Sequence, residues 1–232
     1  MNQLNKETQK EILMDTVSII IPAYNEEKYI KRTLESIQRQ SYKKTEIIVV
    51  CNGCIDKTAE IARKYTPHVL NLAENNVSLA RNRGAQQAQG TIVIFVDADT
   101  ILSPETIETI VKINKEGPSF FGTVNGKTEH KTVSCLLYVA VKNIINSLYP
   151  WANGIIFCKK EDFVKTIGFN QELTHGEWSR WYKEIKKYST YKKITNAYVI
   201  TSQRRMKEWG LKKMLTFWIG NSKQNKGYKA IR

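Results

Sequence analysis

No run of about eighteen uncharged apolar residues occurs anywhere in this 232-residue chain, which argues against a membrane-spanning helix. The opening stretch, Asn2 to Lys10, is polar and charged and lacks the apolar centre of a secretory signal. Cysteine is sparse. Four in this length do not make a disulfide scaffold, and a chain of this size can bury a core without one. These absences lead us to expect a reducing, cytoplasmic setting. Internal repeats and low-complexity linkers are missing too, so the length reads as one large domain with appendages rather than as independent units.

Acidic residues are scarce in one half only. Residues 1–116 carry 15 Lys+Arg against 15 Asp+Glu, whereas residues 117–232 carry 21 against 7, so the whole net charge of +14 sits in the second half. That half suits an anionic partner: a phosphate, an acidic membrane surface or a nucleic acid. The plainer alternative is a set of solvated lysines. No aromatic-basic stacking motif or nucleic-acid module accompanies the charge, so a nucleic-acid partner is not expected.

The most informative segment is Thr91-Ile-Val-Ile-Phe-Val-Asp97-Ala-Asp99-Thr100. Its β-branched, apolar run reads as a buried strand that ends in two carboxylates one residue apart. At the carboxyl end of a parallel strand such a pair points into the crevice where open α/β sheets bind ligands. Two hard carboxylates suit Mg²⁺ or Mn²⁺, which complete their shells with water and substrate phosphates.

Strand and helix signals alternate before it. Val17–Ile21, Glu46–Val50 and Pro67–Leu72 read as strands; Lys28–Arg39, Asp56–Lys64 and Ser78–Gln89 read as helices, with Asp56 as an N-cap and Gly90 as a stop. This alternation implies right-handed crossovers and a mainly parallel sheet flanked by helices. The second half is less regular. Helices are expected at Pro104–Lys115, Ser134–Leu148, Glu161–Thr166 and Glu177–Tyr188, and strands at Phe120–Glu129, Ile155–Cys158 and Ala197–Thr201.

Several segments, in order, resemble the family 2 glycosyltransferases of the GT-A fold. They are Val17-Ser-Ile-Ile-Ile-Pro-Ala-Tyr-Asn-Glu26, Val49-Val-Cys-Asn-Gly-Cys-Ile-Asp56-Lys-Thr58, Ala80-Arg81-Asn82-Arg-Gly84, Asp97-Ala-Asp99 and Gly168-Phe169-Asn-Gln-Glu172. The resemblance covers roughly residues 16–205. It implies a Rossmann-like GT-A domain over 16–205, with a nucleotide-sugar half (16–125) and an acceptor half (126–205). A polar extension (1–15) would precede it, and a basic amphipathic C-terminal helix and tail (206–232) would follow.

By the same resemblance, Pro22, Ala23, Tyr24, Glu26, Asn52, Arg81, Asp97, Ala98 and Asp99 are assigned to the nucleotide sugar. Asp97 and Asp99 would be the Mn²⁺ or Mg²⁺ ligands, and Asp99 is counted among the catalytic residues. The implied activity is inverting, metal-dependent transfer of a sugar from a nucleotide-diphosphate donor to a glycan or a polyprenyl phosphate. Arg81, near the start of its helix, would favour anionic oxygens. Its alternative is a surface arginine, as Tyr24's is a packed aromatic.

Two departures from the family pattern matter. Where many relatives carry an aspartate and a serine, this chain has Cys51 and Cys54. Cys51-Asn-Gly-Cys54 directly after a strand reads either as a redox dithiol or as two small residues filling a tight turn. A zinc site would need a second ligand pair, which the sequence does not offer. The second departure follows Glu177, where the family's acidic partner, often the general base, is replaced by Trp178. Glu177 is then the candidate base, His175 a weaker one, and a helix-capping role for Glu177 the alternative. A phosphate acceptor, already anionic, would need no base. A non-catalytic nucleotide-sugar or glycan-binding relative is the competing function.

Arg204 and Arg205 follow the last strand and are candidates for clamping the diphosphate or acceptor, or else surface charges. Leu211, Met214, Leu215 and Trp218 lie at helical spacing among lysines. They read either as a peripheral contact with the inner face of the membrane or as a helix packed on the domain itself.

Overall fold

The computed structural model describes residues 16–115, 118–148, 152–173, 176–202, 204 and 208–210. The expected N-terminal extension lies outside these residues, as does nearly all of the C-terminal helix and tail. Eight strands are described: β1 (Val17–Ala23), β2 (Thr45–Asn52), β3 (Val69–Leu72), β4 (Ile92–Val96), β5 (Thr100–Leu102), β6 (Phe120–Lys127), β7 (Ile155–Lys159) and β8 (Thr190–Thr201). They form one sheet in the order β3-β2-β1-β4-β7-β6-β8-β5. β1 runs parallel to β2 and β4, and β2 parallel to β3; β7 is antiparallel to β4 and β6, and β5 antiparallel to β8.

Helices cover both faces: α1 (Ile30–Gln38), α2 (Thr58–Arg63), α3 (Val77–Gln87), α4 (Thr106–Lys115), α5 (Val133–Leu148), α6 (Lys160–Val164) and α7 (Glu177–Ile185). β1 is buried along its whole length, as a central parallel strand must be. Its side chains divide by the period of two. Ile19 and Ile21 join Leu34, Ile94, Ile107 and Val199 in one core, while Ile20 joins Val50, Ala80, Phe95 and Trp181 in the other. α3 lies close against β1 because Gly84 has no side chain there; a Cβ at that position would stand 2.3 Å from Ile20 Cγ2.

Asn76 caps α3, its Oδ1 accepting the Leu79 N–H at 2.9 Å. Asp56 acts one residue earlier than an N-cap: Lys57 holds the cap position, while Asp56 Oδ1 accepts the Thr58 N–H at 3.0 Å. The short β5 was not anticipated from the sequence, and β8 extends well upstream of Ala197. Among the described residues no helix is long and apolar enough to cross a membrane.

Candidate active site

Parallel pairing brings three strand ends to one edge of the sheet. Ala23 stands opposite Cys51, and Ile20 opposite Phe95, so the segments leaving β1, β2 and β4 face a common crevice. Through them enter Tyr24 to Glu26, Asn52, and Asp97 with Asp99.

Backbone bonds fix the turn that carries the two aspartates. The Asp97 N–H donates to the Gly154 carbonyl at 2.8 Å, the Thr100 N–H to that of Asp97 at 3.0 Å, and the Ser202 N–H to that of Asp99 at 3.1 Å. Gly154 adopts φ +83°, and a Cβ there would come within 2.3 Å of Thr100 Oγ1, so this support needs glycine on both counts. Ala98 is buried, and its carbonyl accepts the Thr33 hydroxyl at 2.8 Å.

Two arginines organise the acidic groups. Arg81, from the second turn of α3, is 3% exposed. Its Nη1 donates to Glu177 Oε1 at 2.9 Å and its Nη2 to Asp97 Oδ1 at 3.1 Å. Trp178 stacks on the guanidinium, with the Arg81 Cζ 4.2 Å from the ring centroid, and Phe169 approaches at 5.5 Å. The Nε of Arg81 is buried without a protein partner.

Arg204 grips Glu26 in bidentate fashion, Nη1 to Oε2 at 2.8 Å and Nη2 to Oε1 at 2.7 Å, and reaches Asp99 Oδ2 at 3.2 Å. Burial works against the Arg204 charge, but the hydrogen bonds of Glu26 and the charge of Asp99 outweigh it and push its pKa above the ordinary value.

Among the described residues, four carboxylates thus gather around two guanidiniums. Asp97 is the most open of the four, its side chain 39% exposed against 12% for Asp99, 10% for Glu177 and 4% for Glu26. Carboxylate oxygens such as those of Asp97 and Asp99 are hard donors of the kind a divalent cation takes.

The remaining assigned residues surround this pair of clusters. Pro22 and Ala23 are buried in β1, and Tyr24 is half-buried beyond them. Asn52 is 2% exposed; its Nδ2 donates to Asn75 Oδ1 at 3.4 Å, while its own Oδ1 is buried with no protein partner. A pocket of about 270 Å³ opens beside Asp99, lined among others by Tyr29, Arg32, His130, Ser202 and Arg204. His175 and Arg205 lie outside the described residues. Sequence reading missed the Arg204–Glu26 pair, which joins residues 178 positions apart, and it missed the stacking of Trp178 on Arg81. No local pattern signals either contact.

Comparison with known proteins gives a consistent result. A family model, Glycosyl transferase family 2, matches residues 18–207. Glycosyltransferase AglE of Haloferax volcanii is 40% identical over 183 residues, covering 72% of this chain and 60% of that protein. Glycosyltransferase GlyA of Streptococcus pneumoniae is 36% identical over 103 residues, covering 42% of this chain and 15% of that protein. The chain therefore spans less than two thirds of these curated relatives. Among solved structures, that of TarS from Staphylococcus aureus in complex with UDP-GlcNAc aligns with a TM-score of 0.67 at 23% identity, over 81% of this chain and 59% of that one. The mannosyltransferase PcManGT from Pyrobaculum calidifontis, in complex with GDP-Man and Mn²⁺, aligns with a TM-score of 0.65 at 18% identity, over 97% and 72%.

Proposed function

The chain belongs to glycosyl transferase family 2, and from that premise we propose that it moves a sugar, with inversion, from a nucleotide-diphosphate donor to an acceptor that carries a phosphate. The observation that carries the donor half is the Asp97-Ala-Asp99 turn at the end of β4, fixed by backbone bonds and facing the crevice. Neighbours of the same fold hold UDP-GlcNAc, or GDP-Man with Mn²⁺, which supports the donor class and a divalent cation. Asp97 and Asp99 would hold the cation, which when bound supplies Lewis-acid stabilisation of the departing diphosphate. Asn52, with its buried unpartnered carbonyl oxygen, would accept an N–H of the nucleotide base. Arg81 would hold Asp97 in position from beneath, itself steadied by Glu177 and Trp178.

The acceptor half rests on the pairing of the carboxylates. Glu177, the candidate base from the sequence, is buried and bound to Arg81, so it serves better to orient that arginine than to take a proton. Trp178 stands where an acidic partner would be. Glu26, Asp97 and Asp99 are likewise paired to arginines. An acceptor phosphate is already anionic and needs no base to attack the anomeric carbon. The pocket beside Asp99 has room for such a group, which would compete with Glu129 for Arg32 and with Asp99 for Arg204, and the basic second half draws it in. A polyprenyl phosphate at a membrane surface fits this description.

The test has two stages. UDP, GDP, CDP and dTDP and their sugars are screened by thermal shift with and without Mn²⁺; a ligand at about 100 times its Kd stabilises by about 2.7 kcal/mol. The sugar of the responding donor is then radiolabelled and offered with polyprenyl phosphate. Label extracted into organic solvent supports the reading. Transfer only to a glycan overturns the acceptor class. Metal-dependent binding without transfer or donor hydrolysis would favour the second reading, a non-catalytic nucleotide-sugar-binding relative, which the Trp178 replacement motivates.

A further inference from the structure

Cys51 and Cys54 are used by nothing in the proposed reaction, yet they lie where β2 leaves the sheet beside the end of β1. Cys51 is the penultimate residue of β2 and is 1% exposed, whereas Cys54 is half-exposed on the turn beyond it. Gly53 between them adopts φ +80°, which folds the turn back and sets the two thiols, three positions apart, on one tight turn where each shifts the other's pKa. Cys54 Sγ in turn donates to the Ala23 carbonyl at 3.2 Å, at the end of β1.

From there the two loops are joined bond by bond. The Ile55 N–H donates to Asn25 Oδ1 at 2.9 Å, the Glu26 N–H to Thr58 Oγ1 at 2.7 Å and the Glu27 N–H to Asp56 Oδ2 at 3.1 Å. Asn25 is held at φ 53°, a left-handed conformation that these bonds sustain. The same loop carries Glu26, the anchor of Arg204, and Arg204 reaches Asp99.

We propose that Cys54 is a modification site for small disulfides, and that the bridge it then forms with Cys51 displaces the Ala23–Glu27 loop and weakens donor binding. The chemistry balances as two exchanges. Cys54 sulfur attacks one sulfur of the small disulfide, forming a mixed disulfide and expelling the first thiolate. Cys51 sulfur then attacks Cys54 sulfur, forming the Cys51–Cys54 bond and expelling the second. Both cysteine protons pass to the two departing thiolates, so the protein dithiol is oxidised and the reagent reduced. Accessibility sets the order, since only Cys54 of the pair meets solvent. Polarity sets it too: the hydrogen bond from Cys51 outweighs burial and lowers the Cys54 pKa to about 7, while that bond and burial push Cys51 up. Closing the bridge takes Cys54 away from the Ala23 carbonyl and strains the bonds that follow.

The effect on donor binding rests on the proposed function; the thiol chemistry does not. The probe is hydroxyethyl disulfide, followed by intact-mass and peptide mass spectrometry, with Mn²⁺-dependent nucleotide affinity measured in parallel. Expected is a loss of two hydrogens in a peptide holding Cys51 and Cys54, an affinity drop of about tenfold or more, and recovery with dithiothreitol. In Cys51→Ser the reaction should stop at a mixed disulfide on Cys54. Cys54→Ser should keep the affinity of the reduced chain and ignore the probe. Labelling of Cys135 or Cys158 ahead of Cys54, or a bridge formed with affinity unchanged, overturns the proposal. If the reduced chain binds no nucleotide, the proposed function fails, and the mass readout still judges the thiol site by itself.

Discussion

Arg81 and Glu177, separated by 96 positions, meet as a buried ion pair at 2.9 Å under the ring of Trp178. If Glu177 orients Arg81, Glu177→Gln should loosen the hold on a guanidinium that still has Asp97 as its ionic partner, costing about 1–3 kcal/mol of stability. The variant should bind donor less tightly, and any turnover left should keep the wild-type shape of its pH–rate profile. A loss of about 10²-fold or more in kcat with stability intact and one limb of that profile missing would restore Glu177 as the base.

Asp99 sits where Arg204 and a cation would compete. Asp99→Ala should abolish both sugar transfer and the Mn²⁺ dependence of nucleotide binding, read by thermal shift with and without the metal. Transfer that persists in chelator would remove the metal from the scheme.

The same competition predicts an opposite result at Arg204. Arg204→Ala removes the guanidinium from Asp99 Oδ2 and should tighten Mn²⁺ binding in the absence of nucleotide by about tenfold, measured by calorimetry. It should also lower stability, because buried Glu26 then loses its bidentate contact. Unchanged or weaker metal binding would mean that the metal does not use Asp99 Oδ2.

Asp56 supplies a pH-dependent contribution. Burial acts to raise its pKa, but hydrogen bonds from the Thr58 hydroxyl and from the Thr58 and Glu27 N–H groups win and hold it below the ordinary value. The ionised form is thus favoured by folding. Its contribution is complete above the ordinary carboxylate pKa and is lost as the pH falls through the lowered folded value. Asp56→Ala should lower stability by about 1–3 kcal/mol at neutral pH. The gap to wild type should close on acidification, which urea denaturation at a series of pH values would reveal.

Gly84→Ala tests the packing of α3 on β1. Its Cβ would overlap Ile20, and we expect a loss of about 1–3 kcal/mol in chemical denaturation. A neutral result would show that the helix can move away from the sheet without cost.

Much of this architecture is legible in the sequence because parallel strands buried on both sides must be apolar throughout. β1, β2 and β4 therefore stand out, and the carboxylates after β4 follow at once. β5 escapes notice because three residues carry too little pattern. The first half of β8 does so because Lys192, Lys193, Thr195 and Asn196 interrupt its apolar pattern on both faces. The grouping of site residues is harder. Sequence places Arg81, Asp97, Asp99 and Glu177 near one crevice through family resemblance, but not which arginine serves which carboxylate. That choice is made by tertiary packing, through the aromatic floor of Phe95, Phe169 and Trp178 under Arg81, and through the return of the chain after β8, which carries Arg204 to Glu26.

The strand order bears on how such a protein can change its substrate. β7 lies between β4 and β6, and β8 between β6 and β5, so strands from the second half of the sequence are interleaved with those that flank the aspartates. A chimera joined at a single crossover after β5 would bring foreign β7 against native β4 and foreign β8 against native β5, and both registers would have to match. New acceptor preferences are therefore more accessible through exchange of the loops at the sheet edge than through shuffling of half-domains, and libraries built on this scaffold should be cut accordingly.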